Sequence, residues 1–526
     1  MTILALSTLG DATQTLGVIL AAVFAAAAIC APGPKLRAWA VLGALVLAAL
    51  LLGGHVWSSP QVVELRDRPM LLGVGGVLGL AALLVGAWLI DRRPEILPLA
   101  VVFALPFRVP IEAGGDTANL LVPLYLVIGA GALAYAVPRL RGQAREELQP
   151  GWLEWLLGGS VVLYALQASY SSDFDRALEQ LVFFYVPFAV LFALLQRVTW
   201  TPRVLLGCLG VLVALALAFV GIGFYEYATR QLLLNPKVIN SNEFASYFRV
   251  NSLFFDPNIY GRFLAVVMLL VAAALLWSRA VRDAVLAVVA LVVLWAGLVV
   301  TFSQSSFAAL LSGLAVLGGL RWGWKRAGIA VGVVVVAGAA VIVLASGSLR
   351  LDVGSSESVS DATSGRYDLI KGGVELAGDR PVYGWGSGAF RREYRAHSEA
   401  SSTRAVAASH TIPITVGAEQ GILGLAVYLA LLVAALARLL GGGLTAGLRD
   451  AEGEVPVLVA RAGIAAAFVA VLVHTMLYAA FLEDPIMWTL LGVGVALARG
   501  GVVPEAAAAD APETWFADEP VHDPAG

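Results

Sequence analysis

The sequence predicts an all-α fold, a polytopic bundle of about 12–15 transmembrane helices with a large outer loop. Composition is the first indication, because 59% of the 526 residues are hydrophobic and only 13% are charged, whereas soluble proteins carry about 25% charged residues. The mean hydropathy of +0.84 is the second. The third is that the apolar residues are gathered in runs that reach or approach the ~20 residues needed to cross a bilayer. Together these observations exclude a soluble enzyme with a single membrane tether.

Fifteen apolar runs are candidate membrane spans, and the run at 95–107 is short and proline-rich. They lie near residues 12–31, 38–54, 70–90, 95–107, 119–137, 152–168, 179–196, 204–224, 260–277, 284–301, 304–320, 327–346, 412–437, 457–480 and 485–499. Cys30 and Cys208 lie inside such runs, so we expect neither a disulfide framework nor a cysteine-based metal site. The net charge of −3 argues against nucleic acid as a partner.

Lysine and arginine in the short loops predict how the spans are oriented. Every second short loop is basic, which places these loops in the cytoplasm, the N-terminus outside and the C-terminus inside. Two long segments, near 225–259 and 347–411, then lie on the outer face. The tail at 501–526 is acidic and rich in alanine and proline, and we expect it to be a disordered cytoplasmic extension.

The first outer segment ends in a polar stretch that enters the next span. Asp256-Pro257-Asn258 is typical of a turn that starts a helix, so Asp256 and Asn258 are either helix caps or functional residues. Arg249 precedes this turn. Arg262 lies inside the apolar run, where a guanidinium costs about 2.5–3.5 kcal/mol unless it pairs or extends to the headgroups. Extension to the outer headgroups is the simpler interpretation of Arg262.

The second outer segment contains a predicted short amphipathic helix at 364–374, followed by a glycine-rich stretch at 383–390. Those glycines could form a backbone nest for phosphate oxygens. No strand precedes them, so they are not a nucleotide-binding motif. A tight turn with an aromatic side chain packed on the membrane surface explains the stretch equally well.

Two of the five histidines stand out by their positions. His410 closes the second outer segment, beside the start of a long span and an arginine-rich loop. His474 lies within an apolar run, and we expect it to be a hydrogen-bonded residue between helices rather than a catalyst.

Arginine and histidine on one outer surface suit the chemistry of a lipid diphosphate. Arginine pairs with phosphate through two donors and keeps its charge, and a diphosphate leaving group needs such compensation as its bond breaks. Histidine can accept a proton from an attacking hydroxyl near neutral pH. Because the two long outer segments contain no Asp-x-Asp pair and the sequence has no histidine cluster, we predict a metal-independent reaction without a cofactor.

Several short motifs, in this order, resemble the O-antigen ligase and O-antigen polymerase superfamily of polytopic glycosyltransferases over about 240–495. The motifs are Arg249 to Asn258, Ser303-Gln304-Ser305, Ser364-Gly365-Arg366, Pro381 to Phe390, Ser409-His410 with Gly417 to Gly424, Val473-His474, and Asp484 to Trp488. The resemblance implies a GT-C-like helical fold and a role in polysaccharide biosynthesis for the cell envelope. It implies transfer of a glycan from undecaprenyl diphosphate at the outer face of the bacterial inner membrane.

The resemblance also implies roles for particular residues. His410 becomes the candidate base, Arg366 the firmest diphosphate ligand and Arg249 a second one. Many relatives have Ser-Arg where this chain has Ser303-Gln304, so one positive charge is absent. Arg249 or Arg262 is a candidate replacement, or the donor is handled differently. The residues predicted to contact the substrate are Arg262, Asp256, Asn258, Gln304, Arg380, Tyr383 and Glu419.

The predicted organisation is therefore N-terminal transmembrane helices at 1–224 and a ligase-like catalytic membrane region at 225–500, which includes the outer loop at 347–411. The tail at 501–526 follows. The expected partners are a polyprenyl-diphosphate-linked glycan, an acceptor that is a glycan, lipid or protein, and the bilayer itself.

The sequence leaves the reaction's outcome open. A ligase and a polymerase share this chemistry and differ only in whether the acceptor is another lipid-linked glycan. A lipid-glycan transporter or flippase is the rival class, since it also needs many helices and basic residues. A catalytically inactive member of the same fold is a third alternative, suggested by Gln304.

Overall fold

The computed structural model describes most of the chain between Thr2 and Arg499. The described residues are 2–57, 59–113, 116–143, 149–233, 248–333, 336, 366–397, 411–450, 456–478 and 481–499. The side chains of 366–368, among others, are not included. The acidic tail and most of the predicted span at 327–346 lie outside the described residues.

The described residues form helices, with one β-hairpin. The first helices are α1 (Thr2–Cys30), α2 (Pro34–Val56), α3 (Pro60–Arg66), α4 (Pro69–Arg92), α5 (Ile96–Ala104), α6 (Val122–Leu140), α7 (Trp152–Ala168), α8 (Phe174–Gln180), α9 (Val186–Leu195) and α10 (Pro202–Thr229). The later ones are α11 (Pro257–Trp277), α12 (Val281–Val299), α13 (Gln304–Trp322), α14 (Arg366–Asp379), α15 (Phe390–His397), α16 (Ile412–Leu440), α17 (Leu444–Asp450), α18 (Pro456–Leu477) and α19 (Pro485–Arg499).

Within the described part of the chain, 11 helical segments are long and apolar enough to cross a membrane, and α19 is a shorter apolar helix. The prediction of a polytopic helical bundle is confirmed. The run at 95–107 is an exception, because it forms only the nine-residue α5, which rises about 14 Å against a hydrocarbon core of about 30 Å. The chain then enters an antiparallel hairpin of β1 (Val109–Ala113) and β2 (Asp116–Leu120), which the sequence did not predict.

The chain divides into two compact units. Unit 1 consists of Met1–Val211, Leu429–Arg438 and Leu482–Gly526, and unit 2 of Leu212–Tyr428 and Leu439–Phe481. The functional division at residue 224 stays a prediction.

Unit 1 is built on small residues that let its helices approach closely. At Gly158 of α7, an added Cβ would lie 3.2 Å from the Cys30 sulfur and 3.3 Å from the Ala26 Cβ, so α1 and α7 pack closely there. A five-residue π-helix, Leu181–Tyr185, joins α8 to α9, and the Tyr125 hydroxyl donates to its Phe183 carbonyl at 2.6 Å. The residue four positions after Phe183 is Pro187, which has no backbone N–H, so the Tyr125 hydroxyl supplies the donor that the helix lacks there.

Unit 2 is centred on α11. Most side chains of α11 are buried, whereas Ile90 is the one buried residue among the described residues of α4 in unit 1. An apolar helix exposed all round is typical of a span that faces lipid, so the buried α11 is the better position for polar side chains. The polar residues described next lie at its first turns and on the helices packed around it.

Candidate functional site

The polar site of unit 2 is centred on the junction, residues 300–304, which connects α12 to α13. Arg249 reaches it from the preceding loop. Its Nε donates to the Thr301 carbonyl at 3.0 Å and its Nη2 donates to Asn258 Oδ1 at 3.1 Å. These two acceptors are neutral, so the contacts orient the guanidinium without neutralising its charge.

A buried carboxylate holds the loop that carries Arg249. Glu226 of α10 is 0% exposed, and its Oε2 accepts the backbone N–H groups of Asn251 at 3.2 Å and Ser252 at 2.8 Å. Ser252 has a φ of +51°, an unusual conformation for a residue other than glycine. Sequence reasoning missed Glu226. The available signal was a single acidic residue near the end of a long apolar helix.

The sequence left open whether Asp256 and Asn258 cap a helix or belong to the site, and the two residues differ in this respect. Asp256 is the N-cap of α11, and its Oδ1 accepts the backbone N–H of Asn258 at 2.6 Å. The Asn258 side chain points to the junction instead, where its Oδ1 accepts both Arg249 and the Ser303 hydroxyl, the latter at 2.8 Å. The capping interpretation is therefore confirmed for Asp256, and Asn258 orients Arg249.

Three serine hydroxyls extend these contacts to α18. Ser303 Oγ lies 3.2 Å from Ser305 Oγ and 2.8 Å from Ser306 Oγ. Ser305 Oγ lies 3.2 Å from Nε2 of His474, a residue that is 0% exposed. The prediction that His474 is a hydrogen-bonded residue between helices is confirmed. Gly261 makes the packing possible, since a Cβ there would lie 2.6 Å from the Ser306 hydroxyl.

Arg262 and Gln304 lie in opposite environments. Arg262 is 2% exposed, and the nearby Tyr260 and Leu264 of α11 are 0% exposed. The interpretation that Arg262 extends to the lipid headgroups is wrong, because this turn of α11 faces the protein interior. Gln304 is the first residue of α13 and is exposed.

The outer loop contains a small packed region that includes α14, α15 and the start of α16. Its core is formed by Leu369, Leu376, Phe390, Tyr394 and Ala418, with Ala377 and Trp385 packed against it. The Trp385 indole donates to the Leu376 carbonyl at 2.9 Å. The predicted helix at 364–374 is observed from Arg366 onward.

The glycine-rich stretch is a tight turn packed against the first turns of α16. The N–H groups of Trp385 and Gly386 donate to the carbonyls of Ala418 at 3.0 Å and Glu419 at 2.8 Å. Gly384 has a φ of +68°, and a Cβ there would overlap the Glu419 carbonyl. Gly421 has a φ of +64° and kinks α16 where Val382 approaches. These donors are used within the fold, which supports the tight turn over a phosphate nest.

The remaining predicted contact residues lie around this turn. Glu419 is 8% exposed, and its Oε1 accepts the backbone N–H of Phe390 at 3.1 Å, so it holds the turn in place. The Arg380 guanidinium stacks over Trp385 with 3.8 Å between its Cζ and the ring centroid. Tyr383 is 58% exposed.

His410 and Arg366, the predicted base and the firmest predicted diphosphate ligand, are located only through their neighbours in the chain. His410 lies outside the described residues, and Arg366 begins α14 with its side chain likewise undescribed. Thr411, which follows His410, donates from its hydroxyl to the Met476 carbonyl at 3.2 Å. Met476 lies in the same final turn of α18 as His474. Among the described residues, no three His, Cys, Asp or Glu side chains are grouped to hold a metal ion, and metal independence stays a prediction.

Residues 289–429 match the family model described as O-antigen ligase. The match includes the junction, the described parts of the outer loop and the kinked start of α16, whereas Arg249 and His474 lie outside it. A search of curated proteins finds no match to the chain. Its many apolar helices make it a multi-pass membrane protein, and its residues 289–429 are similar to the O-antigen ligase family, a similarity that supports glycosyltransferase chemistry of the ligase or polymerase type.

Proposed function

We propose that this protein transfers a glycan from an undecaprenyl-diphosphate donor to an acceptor hydroxyl at the outer face of the cytoplasmic membrane, without a metal ion. The observation that carries the proposal is the position of Arg249. Its guanidinium contacts Thr301 and Asn258 at the junction, beside Gln304, where many relatives of the family have arginine. Arg249 thus supplies from a neighbouring loop the positive charge that Gln304 lacks.

The charge of Arg249 has a chemical purpose at this position. When the bond between the sugar and the diphosphate breaks, negative charge develops on the departing phosphate oxygens. A guanidinium held in place beforehand stabilises that charge without reorganising. The contacts at Nε and Nη2 fix the plane of the Arg249 guanidinium, as this kind of stabilisation requires.

His410 and Arg366 complete the proposed machinery. His410 removes the proton from the acceptor hydroxyl, whose oxygen attacks the anomeric carbon. The bond from that carbon to the diphosphate breaks, and undecaprenyl diphosphate leaves on Arg249 and Arg366. The Thr411 contact with Met476 supports this arrangement, because it fixes the residue after His410 to the same helix end that reaches the junction through His474.

The other predicted contact residues fall into two groups. Gln304, Arg380 and Tyr383 are exposed and are proposed to contact the glycan or diphosphate directly. Asp256, Asn258 and Glu419 act through the backbone or through Arg249 in the contacts already described. Arg262 is buried on α11 and is proposed to add positive charge to the site from the protein interior.

The decisive experiment supplies the purified protein with a polyprenyl-diphosphate glycan, with and without a candidate acceptor. Transfer of one glycan to the acceptor supports a ligase, and a ladder on the lipid carrier supports a polymerase. Movement of intact donor across a vesicle membrane, with no bond broken, would support a transporter instead. Failure of the folded protein to consume any donor would overturn the proposed function.

His410→Ala tests the proposed base. The variant is expected to bind donor normally and to lose turnover by about 10²-fold or more, since general-base catalysis contributes about 10²–10⁴-fold. His397→Ala is the matched control, because His397 is another outer-loop histidine, with 43% of its side chain exposed. Full turnover by His410→Ala would show that another group accepts the proton.

A further inference from the structure

The hydrogen bonds that connect Arg249 with His474 can be assigned a direction. A guanidinium has five donors and no acceptor, so Arg249 donates to the Asn258 side chain. The atom facing Arg249 is therefore the amide oxygen, which fixes the orientation of the Asn258 amide. This oxygen can also accept from a second donor, because it has two lone pairs.

The remaining directions follow because each hydroxyl has one proton. Ser303 uses its proton on Asn258 Oδ1 at 2.8 Å. Either hydroxyl could donate across the 3.2 Å between Ser303 and Ser305, and if this contact is a hydrogen bond, Ser305 is its donor. The proton of Ser305 is then committed, so Ser305 accepts from His474 Nε2 at 3.2 Å. This assignment requires the tautomer of His474 with a proton on Nε2.

These assignments define a one-way chain, called the relay here: His474 to Ser305, Ser305 to Ser303, Ser303 to Asn258, with Arg249 donating to the same amide oxygen. Ser306 is compatible with it, since it lies 2.8 Å from Ser303 Oγ and 3.3 Å from the Asn258 carbonyl and can donate to either. Ser303, Ser305 and His474 are each at most 1% exposed. Bulk water therefore cannot easily replace a missing donor.

We infer that His474 is a positioning residue for the donor diphosphate. This role rests on the proposed function, and in it His474 touches neither the substrate nor a reacting atom. By donating from Nε2, His474 starts the relay that keeps the Asn258 oxygen turned toward Arg249, and so sets the angle of the guanidinium. Without that first donor, Ser305 can turn its proton elsewhere, and the amide of Asn258 can rotate.

The test measures KM for the donor and kcat in the purified full-length protein with a polyprenyl-diphosphate glycan. His474→Ala is expected to raise the donor KM about tenfold, the weight of one buried hydrogen bond, with a smaller effect on kcat. His474→Gln should restore the wild-type KM, because its amide nitrogen can donate from near the Nε2 position. His474→Asn places its amide near Nδ1 and should not restore it.

Two further variants separate the relay from simple packing. Ser305→Ala breaks the relay in the middle, so adding it to His474→Ala should raise KM no further than the larger single effect. Thr475→Val is the matched control, because Thr475 is 0% exposed and its hydroxyl donates within its own helix, to Leu472 at 2.7 Å. It should leave KM unchanged.

The tautomer of His474 gives a readout that does not depend on turnover. Nitrogen-15 NMR of labelled histidine is expected to show a proton on Nε2. Normal turnover with the proton on Nδ1 alone would overturn the relay and leave the proposed function intact, as would equal KM values for the Gln and Asn variants. A wild-type protein that shows the Nε2 proton but consumes no donor would overturn the proposed function, and with it the role of His474.

Discussion

Each unit contains a partly buried polar cluster with an arginine and a histidine, and the two clusters differ in what joins these two residues. In unit 1, the Glu179 carboxylate lies between His55 Nε2 and the Arg176 guanidinium, at 3.1 Å from each. In unit 2, Arg249 and His474 are joined through an amide oxygen and serine hydroxyls. The hydrogen bonds of the first arrangement include a carboxylate that neutralises positive charge, and the hydrogen bonds of the second orient it.

Under the proposed function, the unit 1 cluster serves structure and the unit 2 cluster serves an anionic substrate. In unit 1 the contacts continue from Gln180, which donates to Glu483 and accepts from Tyr164. A cluster in which a carboxylate pairs with the arginine stabilises its own helices. The neutral oxygens that hold the Arg249 guanidinium orient it for a diphosphate, as the proposed function requires.

The largest expected effect is on catalysis and comes from replacing Arg249. Arg249→Ala should lower kcat/KM for the donor by about 10²–10³-fold, the usual loss when one preorganised donor to a developing negative charge is deleted. Arg249→Lys should recover little, because lysine is a point charge and lacks the planar fork that contacts Thr301 and Asn258 together. Turnover is measured on the folded fraction of each variant.

Arg176→Ala is the counterpart in unit 1. It should lower the thermal unfolding temperature while leaving turnover per folded molecule near the wild-type value. If Arg176→Ala abolishes turnover in folded protein, or Arg249→Ala retains it, the assignment of structural and catalytic roles to the two clusters is wrong.

Glu179 gives the next largest effect and tests the charge-neutralising role in unit 1. Breaking a buried pair costs about 3–5 kcal/mol, and the 40% exposure of the Arg176 side chain reduces the expected cost of Glu179→Ala to roughly 1–3 kcal/mol. Glu179→Gln keeps the shape and removes the charge, so it should cost less. Thermal unfolding in detergent measures both changes. Equal stability of wild type and Glu179→Ala would show that the carboxylate contributes nothing.

The sequence predicted the spans well because the transfer of apolar residues into lipid acts on whole runs of residues. It failed at 95–107, where Pro106 follows closely after the end of α5 and cannot continue a helix. The turn at 383–390 shows a similar limit. Its glycines were recognised, but the choice between a phosphate nest and a tight turn depended on α16, whose approach no local pattern reveals.

For the candidate site, the sequence supplied residue types, and the structure supplies their hydrogen-bond partners. Arg249 was singled out as a diphosphate ligand, and its contact with the junction supports that proposal. The role of Asn258 could not be predicted, because its two partners come from 9 and 45 positions away along the chain. Sequence motifs identify residues one position at a time. The role of Asn258 depends on side chains that helix packing brings together from distant positions.

The smallest expected effect concerns pH and Glu483 of unit 1. Burial raises the pKa of the Glu483 carboxyl above its ordinary value, and the nearby Arg176 guanidinium and Gln180 amide lower it to a lesser extent. The folded protein therefore holds a proton that the unfolded chain releases as pH rises above the ordinary value. The free energy of unfolding should fall between the ordinary pKa and the raised one, and level off above it.

Glu483→Gln replaces the carboxyl with a group that has no charge to bury. Its unfolding temperature should match the wild type near pH 4 and exceed it at pH 7, by the equivalent of about 1 kcal/mol for each pKa unit removed. Glu64→Gln is the control in the same unit, since 68% of the Glu64 side chain is exposed and its change should be near zero. A wild type that is more stable than Glu483→Gln at pH 7 would contradict this prediction. It would mean that Glu483 is charged in the folded protein and pairs with Arg176, so that a second carboxylate balances the positive charge of the unit 1 cluster.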